Sequence, residues 1–158
     1  MSEKKLTHVS KDGLPGMVDI TGKSDSIRNA VASSRINVGN DVFNFLESTG
    51  FHTKKGSILQ TAIIAGTIAV KNTFNVIPLS HQIPIHSCDI EINPVEGRFE
   101  ISCSVSSVGK TGVELEALHG AWVTALTIYD MCKALSPEMV IENVQLEKKT
   151  GGKNDFKR

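Results

Sequence analysis

The sequence predicts an α+β fold of the ferredoxin-like type, a two-layer sandwich in which an antiparallel sheet packs on helices. Three observations lead to this fold class. Two long stretches are apolar with helical spacing, two neighbouring runs alternate between apolar and polar residues, and the elements follow in the order strand, helix, helix, hairpin, helix, strand. At 158 residues the chain is most simply one domain, residues 1–158, with flexible tails over 1–24 and 149–158.

The first half of the chain is predicted to contain a strand and two helices. Ala30–Val38 alternates weakly between apolar and polar residues, which indicates a strand. Asn40 is predicted to cap a short helix that runs through Glu47. Ser57–Asn72 has helical spacing, and its small residues would allow close packing on a neighbouring element. Two prolines then predict a loop over Pro78–Ile85.

The second half is predicted to contain a hairpin, a long helix and a strand. Cys88–Ile92 and Phe99–Val105 alternate on either side of the turn NPVEG, which indicates an antiparallel hairpin with one face in water. Gly109–Leu135 is apolar on almost every side from Val113 onward, which is typical of a helix buried under a sheet, another helix or another subunit. A last strand is predicted near Val140–Glu147.

The composition is that of an ordinary soluble protein, with 40% hydrophobic and 22% charged residues. Seventeen basic residues balance seventeen acidic ones, so the charge gives no support to binding of nucleic acid or of anionic membranes. No secretory signal is visible, and the longest apolar run, Ile58–Val70, is too short for a membrane span. Three separated cysteines favour buried reduced thiols. We therefore expect a cytoplasmic protein.

The long helix carries charged side chains that are costly inside a protein unless they are paired or belong to a site. Asp130 and Lys133 stand three residues apart and can meet as neighbours on one helix face. Two interpretations stay open at this point. The pair is either a surface ion pair at the end of the helix, or an acid and a base whose proton affinities are shifted by apolar surroundings.

Glu116 and Asp130 project from the same side of this helix but stand about 21 Å apart along its axis. They therefore cannot form one acid–base pair within a subunit. If both serve one site, two copies of the helix must pack antiparallel across a two-fold axis, so that the Glu116 end of one copy meets the Asp130 end of the other. This hypothesis predicts a composite site at a dimer interface.

Two further motifs give weaker signals. The letters GKT between a strand and a helix suggest a phosphate loop, but Ser104 stands where that motif needs glycine. Lys110 is therefore predicted to be a loop lysine. His81 and His86 have no cysteine or acidic residue beside them, so no metal site is predicted, and His81 is either a surface residue or a ligand contact.

Two long segments, TGVELEALHGAWVTALTIYDMCKAL and KKGSILQTAIIAGTIAVKNTFNVIPLSH, resemble the cyclic pyranopterin monophosphate synthase family, the molybdenum cofactor biosynthesis protein C family. With LTHVSKDGLPGMVDI and the late TGGK, the resemblance runs nearly end to end. It implies a lyase that converts cyclic dihydro-GTP (3',8-cyclo-7,8-dihydroguanosine 5'-triphosphate), made by a radical SAM partner enzyme, to cyclic pyranopterin monophosphate with release of pyrophosphate. It also implies a ferredoxin-like fold and a hexamer of three dimers with active sites at subunit interfaces. No cofactor of its own is expected, and Mg²⁺ would enter only through the substrate's phosphates.

The resemblance also implies a role for individual residues. Three are implied to be catalytic: Asp130 as the acid/base, with Lys55 and Lys133. Six positions are implied to contact the substrate: Leu79, Ser80, His81, Glu114, Leu115 and Glu116. Three basic residues match positions that would hold the triphosphate: Arg28, Lys149 and Lys153.

The chain departs from the family pattern at three places. LSHQIPI stands where LCHPLPL is common, HGAWV replaces a small-residue segment and adds His119 and Trp122, and the tail reads TGGKND rather than SGGKSGD. Two alternatives therefore stay open. One is a non-catalytic purine-nucleotide-binding member of the same fold, whose altered loop and Trp122 close the site. The other is an oligomerisation domain without a pocket.

Overall fold

The computed structural model describes residues 13–158, so half of the predicted N-terminal tail, residues 1–12, lies outside the described part. The described residues form seven strands and three helices. In chain order these are β1 (Ser26–Asn37), α1 (Asn40–Ser48), β2 (His52–Thr53), β3 (Gly56–Ser57), α2 (Ile58–Val76), β4 (Ser87–Val95), β5 (Arg98–Gly109), α3 (Glu114–Cys132), β6 (Val140–Thr150) and β7 (Phe156–Lys157).

Five strands form one sheet in the order β4-β5-β1-β6-β7, and every neighbouring pair is antiparallel. The short strands β2 and β3 pair separately just before α2. Helix α3 packs on β1, β5 and β6, while α2 packs on α3 and β4. This architecture confirms the predicted α+β sandwich, an antiparallel sheet packed on helices, and the predicted hairpin is β4–β5.

The period of two in the central strands explains why only one face of the sheet is covered. In β1, Ala30, Ala32, Ser34 and Ile36 are buried under the helices, and the residues that alternate with these four face the other side and are partly exposed. In β5, Phe99 and Cys103 occupy the same buried face. The core therefore lies between one side of the sheet and the two long helices.

Two glycines allow α2 and α3 to approach closely, as the small residues of α2 predicted. A Cβ atom on Gly66 would collide with the hydroxyl of Thr124, and one on Gly120 would lie 2.5 Å from Cγ2 of Val70 and 2.7 Å from Sγ of Cys103. The helix pair is therefore packed at the distance that only glycine permits. No helix among residues 13–158 is long and apolar enough to cross a membrane.

Two predictions about the ends of elements are wrong. Asn40 does not cap α1, since the capping residue is Gly39. Gly39 has a φ of 77°, which suits glycine. Its N–H donates to Asn37 Oδ1 and to the carbonyl of Gly97. The segment 149–158 is not simply a tail, because β6 continues to Thr150 and β7 pairs with it through backbone hydrogen bonds. The loop predicted over Pro78–Ile85 is confirmed.

Candidate active site

A cleft of about 400 Å³, here called the main cleft, opens at the N-terminal end of α3. Its walls include all six positions that were expected to contact substrate: Leu79, Ser80, His81, Glu114, Leu115 and Glu116. The loop after α2 supplies the first three, and the first turn of α3 supplies the others. The structure thus brings together two segments that lie more than thirty residues apart in the sequence.

A third wall of the main cleft comes from residues 16–23, here called the strap, which precede β1. Val18 and Ile20 are half-buried and line the cleft, while Asp19 between them is exposed. The ring of His81 donates from Nε2 to the carbonyl of Val18 at 2.8 Å. Lys110 Nζ donates to the carbonyl of Thr21, also at 2.8 Å. These two bonds tie the strap to the loop after α2 and to the loop between β5 and α3.

The two glutamates on the first turn of α3 have different environments. Glu114 accepts an ion pair from Lys149 Nζ at 3.0 Å. Glu116 is only 3% exposed, and its Oε2 has no hydrogen-bond partner among the described residues. Burial raises the pKa of Glu116 to about 7, its own backbone N–H opposes the rise, and the charge of Glu114 adds to it. Glu116 is therefore largely protonated at mildly acidic pH.

A second cavity of about 370 Å³, here called the basic cleft, adjoins the main cleft. The two share Lys23, Thr111 and Gly112 as lining residues. The basic cleft has four cationic residues in its walls: Lys23, Arg28, Lys110 and Lys153. Four cationic side chains beside turns that contain glycine, where backbone N–H groups are accessible, suit the binding of a polyphosphate.

The three residues expected to be catalytic lie at the opposite end of α3. Asp130 accepts an ion pair from Lys133 Nζ at 2.7 Å and a longer one from Lys55 Nζ at 3.8 Å. The hydrogen bond and charge of Lys133, followed by the charge of Lys55, lower the pKa of Asp130 below its usual value, and the same carboxylate raises the pKa of Lys133. Both groups therefore favour their charged forms.

All three side chains are more than half exposed in the subunit. Of the two interpretations left open by the sequence, the isolated subunit thus contains the surface ion pair. The apolar neighbours that were expected to enclose it do not, because Met131 and Cys132 are buried towards the core. The proton affinities are shifted, but in the direction opposite to the one that apolar surroundings would cause, because the paired charges lower the pKa of Asp130 and raise that of Lys133.

A single subunit therefore separates the candidate residues into two groups, which α3 holds about 21 Å apart. Between them runs a line of exposed apolar residues on the same helix, Leu115, Trp122 and Leu126, beside exposed Ile64 and Ile68 of α2. Unpaired apolar residues of this extent are typical of a surface that meets another protein. Trp122 lies in this line and does not line the main cleft, so it does not close that cleft within a subunit.

Sequence reasoning missed several lining residues of the two clefts: Val18, Ile20, Lys23, Ile83, Thr111 and Gly112. The only signal for the last two was the GKTG segment. It does not match a phosphate loop, but its last three residues line the basic cleft. At the altered loop position, Ser80 donates to the carbonyl of Ile77 at 2.8 Å and its side chain thereby reinforces the turn. The changed loop therefore keeps an ordered turn at the cleft.

The sequence of the chain is similar to those of known proteins. Residues 17–152 match the model of the MoaC family. The chain is 49% identical over 153 residues to the cyclic pyranopterin monophosphate synthase of Xanthomonas oryzae pv. oryzae, covering 96% of this chain and 93% of that protein. It is 43% identical over 151 residues to the protein of the same name from Thermoanaerobacter pseudethanolicus, covering 94% of each. On this evidence, the chain belongs to the MoaC family.

Proposed function

We propose that this protein is a cyclic pyranopterin monophosphate synthase, a lyase that converts cyclic dihydro-GTP to cyclic pyranopterin monophosphate and releases pyrophosphate. The observation that carries the proposal is the junction of the main cleft with the basic cleft through Lys23, Thr111 and Gly112. A substrate that joins a ring system to a triphosphate needs two such adjoining spaces. The names of the relatives support the same activity.

The ring system of the substrate fits the main cleft. Val18, Ile20, Leu79, Ile83 and Leu115 supply apolar walls for the faces of a flat ring, while buried polar groups give it orientation. The triphosphate fits the basic cleft, where Lys23, Arg28, Lys110 and Lys153 would neutralise its charge. Lys149 is paired with Glu114 of the main cleft and would be available to a phosphate that displaces the carboxylate.

Asp130, Lys55 and Lys133 are proposed to perform the proton transfers. Because its pKa is lowered, Asp130 is ionised at neutral pH and starts as a proton acceptor. Lys133 starts protonated and can return a proton or stabilise negative charge as pyrophosphate leaves. Lys55, at 3.8 Å from the carboxylate, is placed for the same electrostatic task.

The complete site is proposed to form between two subunits, in a hexamer built as a trimer of dimers. Antiparallel packing of two α3 helices would cover the line of apolar residues and bring Asp130, Lys55 and Lys133 of one copy to the main cleft of the other. The charge of Glu114 supports this direction of packing, since this carboxylate at one end of α3 would face the lysines at the other end.

The remaining parts of the proposal concern the setting of the enzyme. It is ferredoxin-like in fold, acts in the cytoplasm, has no resident cofactor and admits Mg²⁺ only with the substrate's phosphates. A radical SAM enzyme is proposed to supply the substrate. Two longer relatives support a partner in the same synthesis. The chain spans only 45% of the molybdenum cofactor biosynthesis bifunctional protein of Synechocystis sp. and 27% of molybdenum cofactor biosynthesis protein 1 of Dictyostelium discoideum. In each of these relatives the matching part is joined to further sequence within one protein named for this synthesis.

The deciding experiment is an assay of pyrophosphate release from cyclic dihydro-GTP by the purified protein, with and without chelator. We expect release that depends on the protein and continues in chelator. Binding without release would favour the nucleotide-binding alternative. The absence of any rise in melting temperature with a purine triphosphate would favour the oligomerisation domain.

A further inference from the structure

We propose that Thr53 is a positioning residue for Lys55, because its hydroxyl fixes the two-residue turn that holds the Lys55 ammonium beside Asp130. This inference rests on the proposed function, in which Lys55 takes part in catalysis. It specifies which side chain sets the place of that lysine. Thr53 is not proposed to touch the substrate, and it acts only through Lys55.

The first support is the place of Lys55 in the chain. Strands β2 and β3 form a hairpin of two residue pairs, and the inner pair joins Thr53 to Gly56. Lys54 and Lys55 form the turn between these partners. The side chain of Lys55 is 58% exposed, so packing does little to hold its long flexible stem. The position of the ammonium therefore depends on the backbone of the turn.

The second support is the pair of hydrogen bonds that the Thr53 hydroxyl makes across this turn. Its Oγ1 accepts from the backbone N–H of Lys55 at 3.1 Å and donates to the carbonyl of Gly56 at 3.4 Å. A hydroxyl that accepts from the N–H two residues later imitates a backbone turn. Gly56, where the chain leaves the turn, has a φ of 116° that suits glycine. One side chain thus bonds to the turn on both sides of Lys55.

The third support is the anchor of the hairpin in the core. Phe51, directly before β2, has a φ of 57°, which a bulky residue rarely adopts. Its ring packs on those of Phe43 and Phe99, with centroids 5.9 and 5.6 Å away. Its N–H donates to the carbonyl of Leu46, and its carbonyl accepts from the N–H of Ile58. Contacts within the subunit therefore fix the base of the hairpin, and the turn is the part that depends on Thr53.

The contact that this device serves joins distant parts of the chain. Nζ of Lys55 lies 3.8 Å from Oδ2 of Asp130 and 3.5 Å from its carbonyl oxygen, although the two residues are 75 positions apart. Lys133 stands on the same helix as Asp130, so the helix itself brings those two together. Lys55 has no such support. A displacement of about 1 Å can lower the rate of an enzyme by up to about 10²-fold, so the turn bears on catalysis.

The test compares Thr53→Val with Thr53→Ser in the pyrophosphate assay, using the full-length protein. Valine keeps the branched shape and removes the hydroxyl, whereas serine keeps the hydroxyl. Thr53→Val should lower kcat by about tenfold and change KM by less than about twofold, because Lys55 is proposed to act on charge that develops in the transition state. Thr53→Ser should keep more than about half of the wild-type kcat. A wild-type kcat in Thr53→Val would overturn the proposal.

The matched control is Thr49→Val at the end of α1, which removes a hydroxyl that donates to the carbonyl of Leu46 at 2.9 Å. It should leave kcat unchanged. An equal loss of kcat in Thr49→Val and Thr53→Val would mean that any lost hydroxyl bond in this region has the effect, and the assignment to Thr53 would be wrong. Thr53→Ala removes the same hydroxyl and replaces Thr53→Val if the valine protein does not fold.

A double-mutant cycle distinguishes positioning from general support of the fold. If Thr53 acts only through Lys55, adding Thr53→Val to Lys55→Ala should lower kcat further by less than about twofold. The same tenfold loss in both backgrounds would show that Thr53 acts independently of Lys55 and would overturn the proposal.

Hydrogen exchange of the Lys55 amide, measured by NMR, tests the turn without turnover. Exchange should be about tenfold faster in Thr53→Val than in the wild type, because the amide loses its acceptor, and Thr53→Ser should match the wild type. Equal exchange in all three proteins would contradict the fixed turn.

The proposed function and the role of Thr53 can fail separately. If the wild-type protein releases no pyrophosphate, the proposed function fails and the role of Thr53 fails with it. Release by the wild type, a loss in Lys55→Ala and an unchanged kcat in Thr53→Val would together remove only the role of Thr53. Full activity in Lys55→Ala would remove Lys55 from catalysis and leave Thr53 nothing to position.

Discussion

Lys133 Nζ lies 2.7 Å from Oδ1 of Asp130, three residues earlier on α3, while Lys55 approaches the other carboxylate oxygen at 3.8 Å. One carboxylate is thus held between two ammonium groups from different parts of the chain. Because all three side chains are more than half exposed, the pairs contribute little to stability. These residues can therefore be replaced one at a time with the fold retained, which makes them suitable for mutational tests of catalysis.

Asp130→Asn should reduce turnover by about 10²–10⁴, the usual effect of removing one acid/base group. The amide keeps the size of the side chain and a hydrogen-bonding oxygen but cannot carry the proton. Pyrophosphate release measures turnover, and circular dichroism with a melting curve checks the fold. Asp41→Asn, at an exposed position of α1, is the matched control. Retention of more than about a tenth of the wild-type rate would remove Asp130 from the catalytic role.

Lys55→Ala and Lys133→Ala should each lower kcat, since an ammonium near developing negative charge acts in the transition state. Arginine at either position should restore activity only in part, because its planar fork does not replace a compact point charge. Lys54→Ala, beside Lys55 and exposed, serves as the control. Full activity in both arginine variants would mean that the lysines contribute only a long-range field.

Mixing two inactive proteins tests the composite site. Glu116→Ala and Asp130→Ala are dissociated together, reassembled and assayed. With random pairing about half of the dimers are mixed and each regains one of its two sites, so about a quarter of the wild-type activity should return. If labelled subunits demonstrate exchange and no activity returns, the site is contained within one chain.

The pH dependence of stability should reveal Glu116. Its pKa is about 7 in the folded protein, above the usual 4.5, so the folded state keeps a proton that the unfolded chain releases. Stability should therefore fall as pH rises from about 4.5 to 7, by on the order of 3 kcal/mol. Urea unfolding of Glu116→Gln should lack this loss, while Glu47→Gln should keep it. Parallel pH profiles for wild type and Glu116→Gln would contradict the buried neutral acid.

Gly120→Ala should destabilise the protein by about 1–3 kcal/mol, the usual cost of overpacking a core. The added Cβ would stand 2.5 Å from Val70 Cγ2 and 2.7 Å from Cys103 Sγ. Gly22→Ala is the control, because a Cβ there has no atom within 4 Å. Urea unfolding compares the two, and equal stability would show that the helices can move apart without cost.

Much of the fold was predictable because it follows from local periodicity. The alternation in β4 and β5 predicted the hairpin, and the apolar spacing predicted α2 and α3 to within a few residues. The meeting of Asp130 with Lys133 was also predictable, since residues three apart on a helix are neighbours. The cap of α1 at Gly39 was not predictable, because it depends on the distant turn at Gly97, whose carbonyl accepts from the N–H of Gly39.

The missed part of the site depends on contacts that have no residue-specific signal. His81 bonds to the backbone carbonyl of Val18, and Lys110 to that of Thr21, and every residue carries a carbonyl. The separation of more than sixty residues between the partners of each bond also leaves no periodic trace. The burial of Glu116 and the ion pair of Glu114 with Lys149 both depend on how α3 packs on the sheet, which only the folded chain determines.

The strap has a practical consequence for the length of the chain that is needed. Every strand of the main sheet begins at Ser26 or later, so a chain truncated before β1 would retain all of the sheet's hydrogen-bonded partners. It would lose Val18, Ile20 and Lys23, and with them one side of the space proposed for the ring and a cation beside the phosphates. The shortest chain that folds is therefore expected to be shorter than the shortest chain that binds substrate. A truncated protein with a native spectrum would still fail to bind the substrate.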